Sequence, residues 1–134
     1  MKRINRVGAY GLLLQKGKIA LVTKIKGPYE GLLDLPGGEI EFGESSSEAL
    51  KREIQEELAV KAFDLTIYDS YSNLGIFEKD TPFKFHHLGI IYKVNQFTSI
   101  EGSISEDIWD WYLIDKLSNG SLTPFAQQAL ESFK

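Results

Sequence analysis

Three glutamates at helical spacing are the residues of this chain best suited to chemistry. Glu53 precedes Glu56 by three residues and Glu57 by four, in a run, residues 49–58, made almost wholly of strong helix formers. At about 100° per residue they occupy roughly a third of a helix circumference. Leu50, Ile54 and Leu58 form an apolar stripe beside them. One flank is therefore expected to pack on a core while the next aims negative charge at one spot. Like charges at this spacing oppose each other by about a few tenths of a kcal/mol per pair. Arg52, four residues before Glu56 and four after Glu48, relieves part of that. Such a face is either a solvated acidic surface laced with ion pairs or a site for a hard divalent cation. Mg2+ takes carboxylate oxygens and commonly binds through substrate phosphates as well.

The segments that must position these acids are legible on either side. Leu35-Pro36-Gly37-Gly38 is expected to turn rather than continue regular structure. Its two glycines let backbone groups approach a metal or a phosphate closely. A second turn falls at Gly43-Glu44. Ser45 then stands as an N-cap, with Glu48 three residues later completing a capping box.

Residues 38–60, GEIEFGESSSEALKREIQEELAV, resemble the box of the Nudix hydrolases, G-x5-E-x7-R-E-U-x-E-E-x-G-U with U a bulky aliphatic. Gly38, Glu44, Arg52-Glu53-Ile54, Glu56-Glu57 and Val60 fill its defined positions, and the usual Leu-Pro-Gly-Gly lead-in is present. Ala59 stands where the family has glycine. Glycine at a helix end favours a left-handed cap, so the departure bears on the shape of that turn and removes none of the acids. The resemblance implies an α/β fold, a Nudix-like α/β/α sandwich with a mixed sheet, as a single domain over residues 1–134. It implies a cofactor, Mg2+ or Mn2+, held by Glu53, Glu56, Glu57 and the Gly38 carbonyl. Arg52 is then the residue that orients a carboxylate, and Glu44 is its structural partner. For the general base the family uses either a box glutamate or one from a later loop, which here makes Glu106 the candidate and Glu101 the second choice.

The same resemblance implies hydrolysis of a nucleoside diphosphate linked to another group. The compact length resembles MutT-type nucleoside triphosphate pyrophosphohydrolases. ADP-ribose, NDP-sugar and dinucleoside polyphosphate hydrolases are the alternatives. The proline expected of ADP-ribose enzymes about fifteen residues after the box is absent, Gly75 and Ile76 standing there. Phe77 lies where dinucleoside polyphosphate hydrolases tend to carry tyrosine. A catalytically silent nucleotide-binding regulatory module is the rival from another class, and the intact box acids argue against it.

Composition bounds the rest. A chain of 134 residues, 43% hydrophobic and 25% charged, suits one domain with a sizeable core. A net charge of -4 implies no general affinity for polymeric nucleic acid. A small-molecule nucleotide is the expected partner, and it would need a metal or local cations. With no cysteine, disulfides and thiolate metal sites are excluded. There is no apolar run of membrane-spanning length and no leader-like segment, so the expectation is a cytoplasmic protein that binds no membrane. A homodimer is left open.

Taken in order, residues 6–15 read as a strand, Lys16-Gly17-Lys18 as a hairpin turn and residues 19–25 as the return strand. Lys24 near its end is a candidate phosphate ligand, and Tyr29 in the following loop a candidate aromatic wall. After the box helix, residues 60–71 read as a strand, with a turn near Lys79-Asp80. Residues 83–94 read as another strand, in which His86 and His87 point to opposite faces as sheet residues rather than catalysts. Residues 96–105 read as a surface loop, residues 106–114 as a strand with Trp109 and Trp111 on one face, and residues 115–121 as a turn. Thr123 caps a last helix with Pro124 at its first position. Phe77 and Phe85 join Tyr29 as aromatics able to stack on a base.

Overall fold

A computed structural model describes residues 1–77 and 81–133. The expected turn at Lys79-Asp80 lies outside the described residues. The elements follow in the order β1 (Lys2–Leu12), β2 (Leu14–Gln15), β3 (Lys18–Thr23), β4 (Leu33–Asp34), β5 (Gly37–Glu39), α1 (Ser46–Leu58), β6 (Val60–Phe77), β7 (Phe83–Ser99), β8 (Trp109–Leu113) and α2 (Pro124–Glu131). Short 3-10 turns at Ile114–Lys116 and Asn119–Ser121 occupy the expected turn region.

The strands form two four-stranded sheets. The first, in the order β5-β1-β7-β6, is mixed: β1 runs parallel to β7 and antiparallel to β5. In the second, β3 pairs antiparallel with β2, β4 and β8. Alternation along β1 and β3 divides the core. Tyr10, Leu12, Ile19 and Leu21 face one way, against Phe125, Ala129 and Leu130 of α2. Ala9, Leu13, Ala20 and Val22 face the other, against Leu50, Ile54 and Leu58 of α1. A strand buried on both faces needs apolar residues at odd and even positions alike. That is why residues 9–14 and 19–22 carry near-continuous apolar runs. The result is the expected mixed sheet flanked by helices.

Helix α1 starts as its sequence requires. The Ser45 hydroxyl accepts from the Glu48 N–H, and the Glu48 carboxylate reaches back to the Ser45 N–H. Its far end carries the one departure from the box. Ala59 adopts φ 56°, ψ 43°, so the left-handed turn is kept and an alanine bears its strain.

Several boundaries differ from the sequence reading. The first strand begins at Lys2 and is interrupted at Leu13, and β3 stops at Thr23. Gly37–Glu39 does not merely turn but pairs with Gly8–Tyr10 of β1. Strand β6 continues to Phe77, because its polar residues 70–73 lie on an edge strand that half faces water. Strand β7 reaches Ser99 and takes in the start of the expected loop, while β8 begins only at Trp109.

Ala59→Gly is expected to stabilise the fold by about 0.5–1 kcal/mol, the left-handed strain removed less the backbone freedom gained by the unfolded chain. Urea unfolding of the two proteins measures this directly. An unchanged or lower midpoint would mean that the αL turn carries no strain.

Candidate active site

The box acids are gathered by one arginine. Arg52 Nε and Nη2 bind the Glu44 carboxylate at 2.7 and 3.0 Å, the fork geometry that a guanidinium matches best. Its Nη1 donates to Glu53 at 2.9 Å and reaches Glu56 at 3.5 Å, and Nη2 also donates to the Glu39 carbonyl at 3.2 Å. The Glu44 contact, then Glu53, pushes the Arg52 pKa up. The same bond holds the Glu44 carboxyl below the usual carboxylate range. Glu44 is thus the structural partner of Arg52 that the sequence implies.

Glu53 and Glu57 press against the glycine strand. Glu57 Oε1 accepts the Gly37 N–H at 2.7 Å. A Cβ on Gly38 would stand 2.7 Å from the Glu53 carboxyl carbon, and one on Gly37 only 2.1 Å from the Ala9 carbonyl oxygen. Gly37, with backbone in the way and φ 139°, requires glycine, whereas a side chain at Gly38 would displace the Glu53 head. The absent side chains let the backbone, with the Gly38 carbonyl, lie against the carboxylates.

Burial raises the pKa of both acids. Burial pushes Glu57 up to about 9; its bond from Gly37 opposes this, and Glu53 and Asp107 add to it. Glu53 is raised by burial too, with Arg52 opposing and Glu56 and Asp107 adding. Glu56 is exposed on the neighbouring turn.

The loop after β7 does not hang free. The N–H groups of Glu106 and Asp107 donate to the Glu56 and Glu57 carbonyls at 3.0 and 3.2 Å, and the Ile100 N–H donates to the Ala59 carbonyl at 3.0 Å. These bonds satisfy carbonyls that a helix end leaves unpaired, and they fix the loop beside the acids. They also separate two adjacent side chains. Asp107 lies close enough to Glu57 to help push its pKa up. Glu106 is exposed and, with Arg52, Gln55, Glu56, Ser103 and Ile104, lines an open pocket of about 420 Å3. Glu101 is exposed in the same loop.

A second cleft, of about 330 Å3, adjoins the acids through Tyr10. Arg6, Lys24, Tyr29, Phe85 and His87 line it, with the buried carboxyl of Asp34. Tyr10 ties the two regions together. Its hydroxyl shares a 2.7 Å hydrogen bond with His87 Nε2. Burial and Asp34 raise its pKa, Arg6 opposes them, and Glu57 and Glu53 contribute smaller pushes upward. His87 is lowered to about 4 by burial, then by Arg6 and Lys24, so it is neutral near pH 7. Burial also raises Asp34, which accepts from the Thr123 hydroxyl at 2.6 Å and from the Leu35 N–H at 2.8 Å.

Of the sequence candidates, Lys24 and Tyr29 line this cleft, as does Phe85. Phe77 stands behind Tyr29, its ring edge-on at 5.5 Å, and Asn73 donates to the Tyr29 hydroxyl at 2.7 Å. Sequence reasoning missed Asp107, Asp34 and Arg6. Only Asp107 carried a signal, as a second acid beside Glu106.

Among the described residues, no three His, Cys, Asp or Glu side chains converge as a ready-made metal cage. The donor set nonetheless suits a hard divalent cation. It is all oxygen, it comprises Glu53, Glu56, Glu57 and the Gly38 carbonyl, and its two inner carboxyls are partly buried, with Arg52 paired to Glu53 alone.

A model of the NUDIX domain family matches residues 2–133. The chain is 32% identical over 71 residues to the 8-oxo-dGTP diphosphatase of Haemophilus influenzae, a match covering 52% of each chain. It is 41% identical over 51 residues to the ADP-ribose pyrophosphatase of Methanocaldococcus jannaschii, covering 38% of this chain and 30% of that one. The chain thus matches about half or less of the length of these curated relatives. A crystal structure of a MutT NUDIX hydrolase from Burkholderia pseudomallei superposes with a TM-score of 0.78 at 26% identity, covering 98% of this chain and 99% of that one. No helix among the described residues is long and apolar enough to cross a membrane.

Glu57 yields a prediction that needs no substrate. Its pKa rises from 4.5 unfolded to about 9 folded. The folded state therefore holds a proton that the unfolded state has released, and stability falls as pH rises from 4.5 toward 9. Glu57→Gln keeps an acceptor for Gly37 and removes the titration. In chelator, the variant is expected to be the more stable protein at pH 8, by about 1–3 kcal/mol, and to match the parent near pH 4.5. Urea unfolding at the two pH values measures the difference. Equal stability at pH 8 would mean that Glu57 ionises freely in the fold.

Proposed function

The chain belongs to the NUDIX domain family, and from that premise we propose that it is a metal-dependent hydrolase of phosphoanhydride bonds whose substrate is a nucleoside diphosphate linked to another group. A nucleoside triphosphate, cleaved to monophosphate and pyrophosphate, is the favoured substrate. The observation that carries the reading is the half-buried pair Glu53 and Glu57 against Gly37-Gly38, next to a cleft with a cationic rim and aromatic walls.

Each part of that arrangement has work in such a reaction. Glu53, Glu56, Glu57 and the Gly38 carbonyl would hold Mg2+ or Mn2+. When bound, the metal supplies neutralisation of phosphate charge and a more acidic water. Arg52 keeps Glu53 and Glu56 in place through its own anchor on Glu44. Arg6 and Lys24 bring positive charge to an anionic substrate in a protein of net charge -4. Tyr29, Phe85 and neutral His87 offer ring faces and edges to a nucleobase, and Asp34 offers a carboxyl group able to hydrogen-bond it. A carboxylate within reach of the attacking water must accept its proton. Asp107, fixed beside Glu57, is better placed for this than Glu106, which faces the outer pocket.

Likeness to the 8-oxo-dGTP diphosphatase supports the nucleoside triphosphate reading and makes an oxidised purine triphosphate the first substrate to test. Likeness over 51 residues to the ADP-ribose pyrophosphatase keeps that second class open. The test is a nucleotide screen with Mg2+ or Mn2+, with products resolved by chromatography. Turnover of one triphosphate to monophosphate and pyrophosphate is expected, abolished by EDTA and restored by metal. Preferential cleavage of ADP-ribose would select the second reading. Turnover of none, with nucleotide still bound, would mean a silent module.

Under saturating substrate and metal, Asp107→Asn is expected to lower kcat about a hundredfold and Glu106→Gln less than threefold, in line with usual general-base contributions. The reverse order would return the role to Glu106. Parental rates in both variants would leave the base among Glu53, Glu56 and Glu57.

A further inference from the structure

One face of the first sheet is longer than the helix that covers it. Strands β6 and β7 run 18 and 17 residues, and α1 has 13 at a shorter rise per residue. On that face α1 buries Ala9, Tyr92 and Val94. The strand register carries the same face onward through Val7 beside Leu88, then Asn5, His86 and Leu74, then Arg3, Lys84 and Ile76. In this overhang Val7, Leu74, Ile76 and Leu88 are exposed, Leu74 by 73%. Arg3, Ile4, Leu74 and Lys84 help to line an open groove there of about 370 Å3.

A second feature lies beside this face. In the turn between β5 and α1, Phe42 is fully exposed, at 108% of its reference area. The exposed acids Glu39 and Glu41 flank it, each at a long 3.8 Å from an arginine of the same chain, Arg6 and Arg52. The Ile40 N–H donates to the Val7 carbonyl at 3.1 Å, so the Phe42 turn begins where the bare face begins. An apolar knob among carboxylates thus stands near a groove in which Leu74 and Ile4 lie among Arg3, Asn5, Lys84 and His86.

We propose that this face docks a second copy of the chain in a two-fold dimer, the Phe42 of each protomer entering the Leu74 groove of the other. Glu39 and Glu41 then face the Lys84 and Arg3 cations across the interface. Knob and groove share one side of the sheet, so a single two-fold axis can satisfy both and close the assembly. The charge pattern selects this occupant. An anionic membrane or an acidic peptide would meet Arg3 and Lys84, but would be repelled by the carboxylates around Phe42 and would leave that side chain in water. A copy of the chain carries both signs in the required places. Burying the four exposed apolar residues and Phe42 on each side removes a patch of the kind that marks association surfaces.

Sedimentation velocity of the full chain, from about 1 to 100 μM, tests the proposal on the micromolar affinity scale. The expected mass is twice 15.1 kDa. Phe42→Ser and Leu74→Glu, both at exposed positions, should each sediment as monomers with the parental circular dichroism and Tm. Because the chain has no cysteine, Phe42→Cys and Leu74→Cys proteins mixed under oxidising conditions should form the mixed disulfide in preference to either self-pair. A parent that stays monomeric throughout overturns the proposal. So does a dimer that survives both substitutions, or a monomer that anionic vesicles capture through Leu74.

Discussion

Close approach of a glycine backbone to two carboxylates is the constraint on which the rest of the site depends. Gly37 lies so near β1 that a single added carbon would meet the Ala9 carbonyl. Gly38 lies as near the head of Glu53. The short strand Gly37–Glu39 therefore lies beside β1 in the sheet, with its glycines against the acids of α1. A side chain at Gly37 would collide with the β1 backbone, and one at Gly38 would turn the Glu53 carboxyl away. With the spacing set, Glu57 takes the Gly37 N–H, and the capped start of α1 fixes the rotation that presents Glu53 and Glu57 together.

The arrangement is electrostatically unfavourable as it stands, and that is informative. Of the two partly buried carboxyls, Glu53 leans on a guanidinium already committed to Glu44, and Glu57 has only the Gly37 N–H. Both are pushed toward their neutral forms, first by burial and then by each other or by Glu56 and Asp107. A fold selected for stability alone would place an amide or an apolar residue at Glu57. Keeping the carboxyl lowers stability at neutral pH, and the proposed divalent cation would recover it by binding the ionised form. Strain of a second kind sits at Ala59, where the helix must end in a left-handed turn so that β6 can start and Ile100 can pair with the freed carbonyl.

Much of this was legible in the sequence because the box is local. Capping box, apolar stripe and acid spacing all fall within one helix, and each appears in the fold where the pattern placed it. Features that depend on distant partners were not legible. Gly37–Glu39 reads as a breaker, yet it pairs with β1, a distant backbone partner that local sequence does not record. The polar run Ser70, Ser72 and Asn73 hides an edge strand whose partner lies across a hairpin. Glu106 and Asp107 are chemically alike and adjacent, and two backbone bonds to the end of α1 decide which turns inward. The second cleft draws Arg6, Lys24 and His87 from three separate strands and loops. No local spacing records such a meeting.

The central claim is that the Glu53–Glu57 pair against the glycine strand is a divalent cation site. Electron paramagnetic resonance of Mn2+ titrated into the metal-free protein tests it without assuming any substrate. The free Mn2+ signal should be lost on titration into the parent and retained with Glu57→Gln, whose circular dichroism should match the parent. A parent that leaves the free signal untouched, or a Glu57→Gln protein that quenches it equally, would contradict the account.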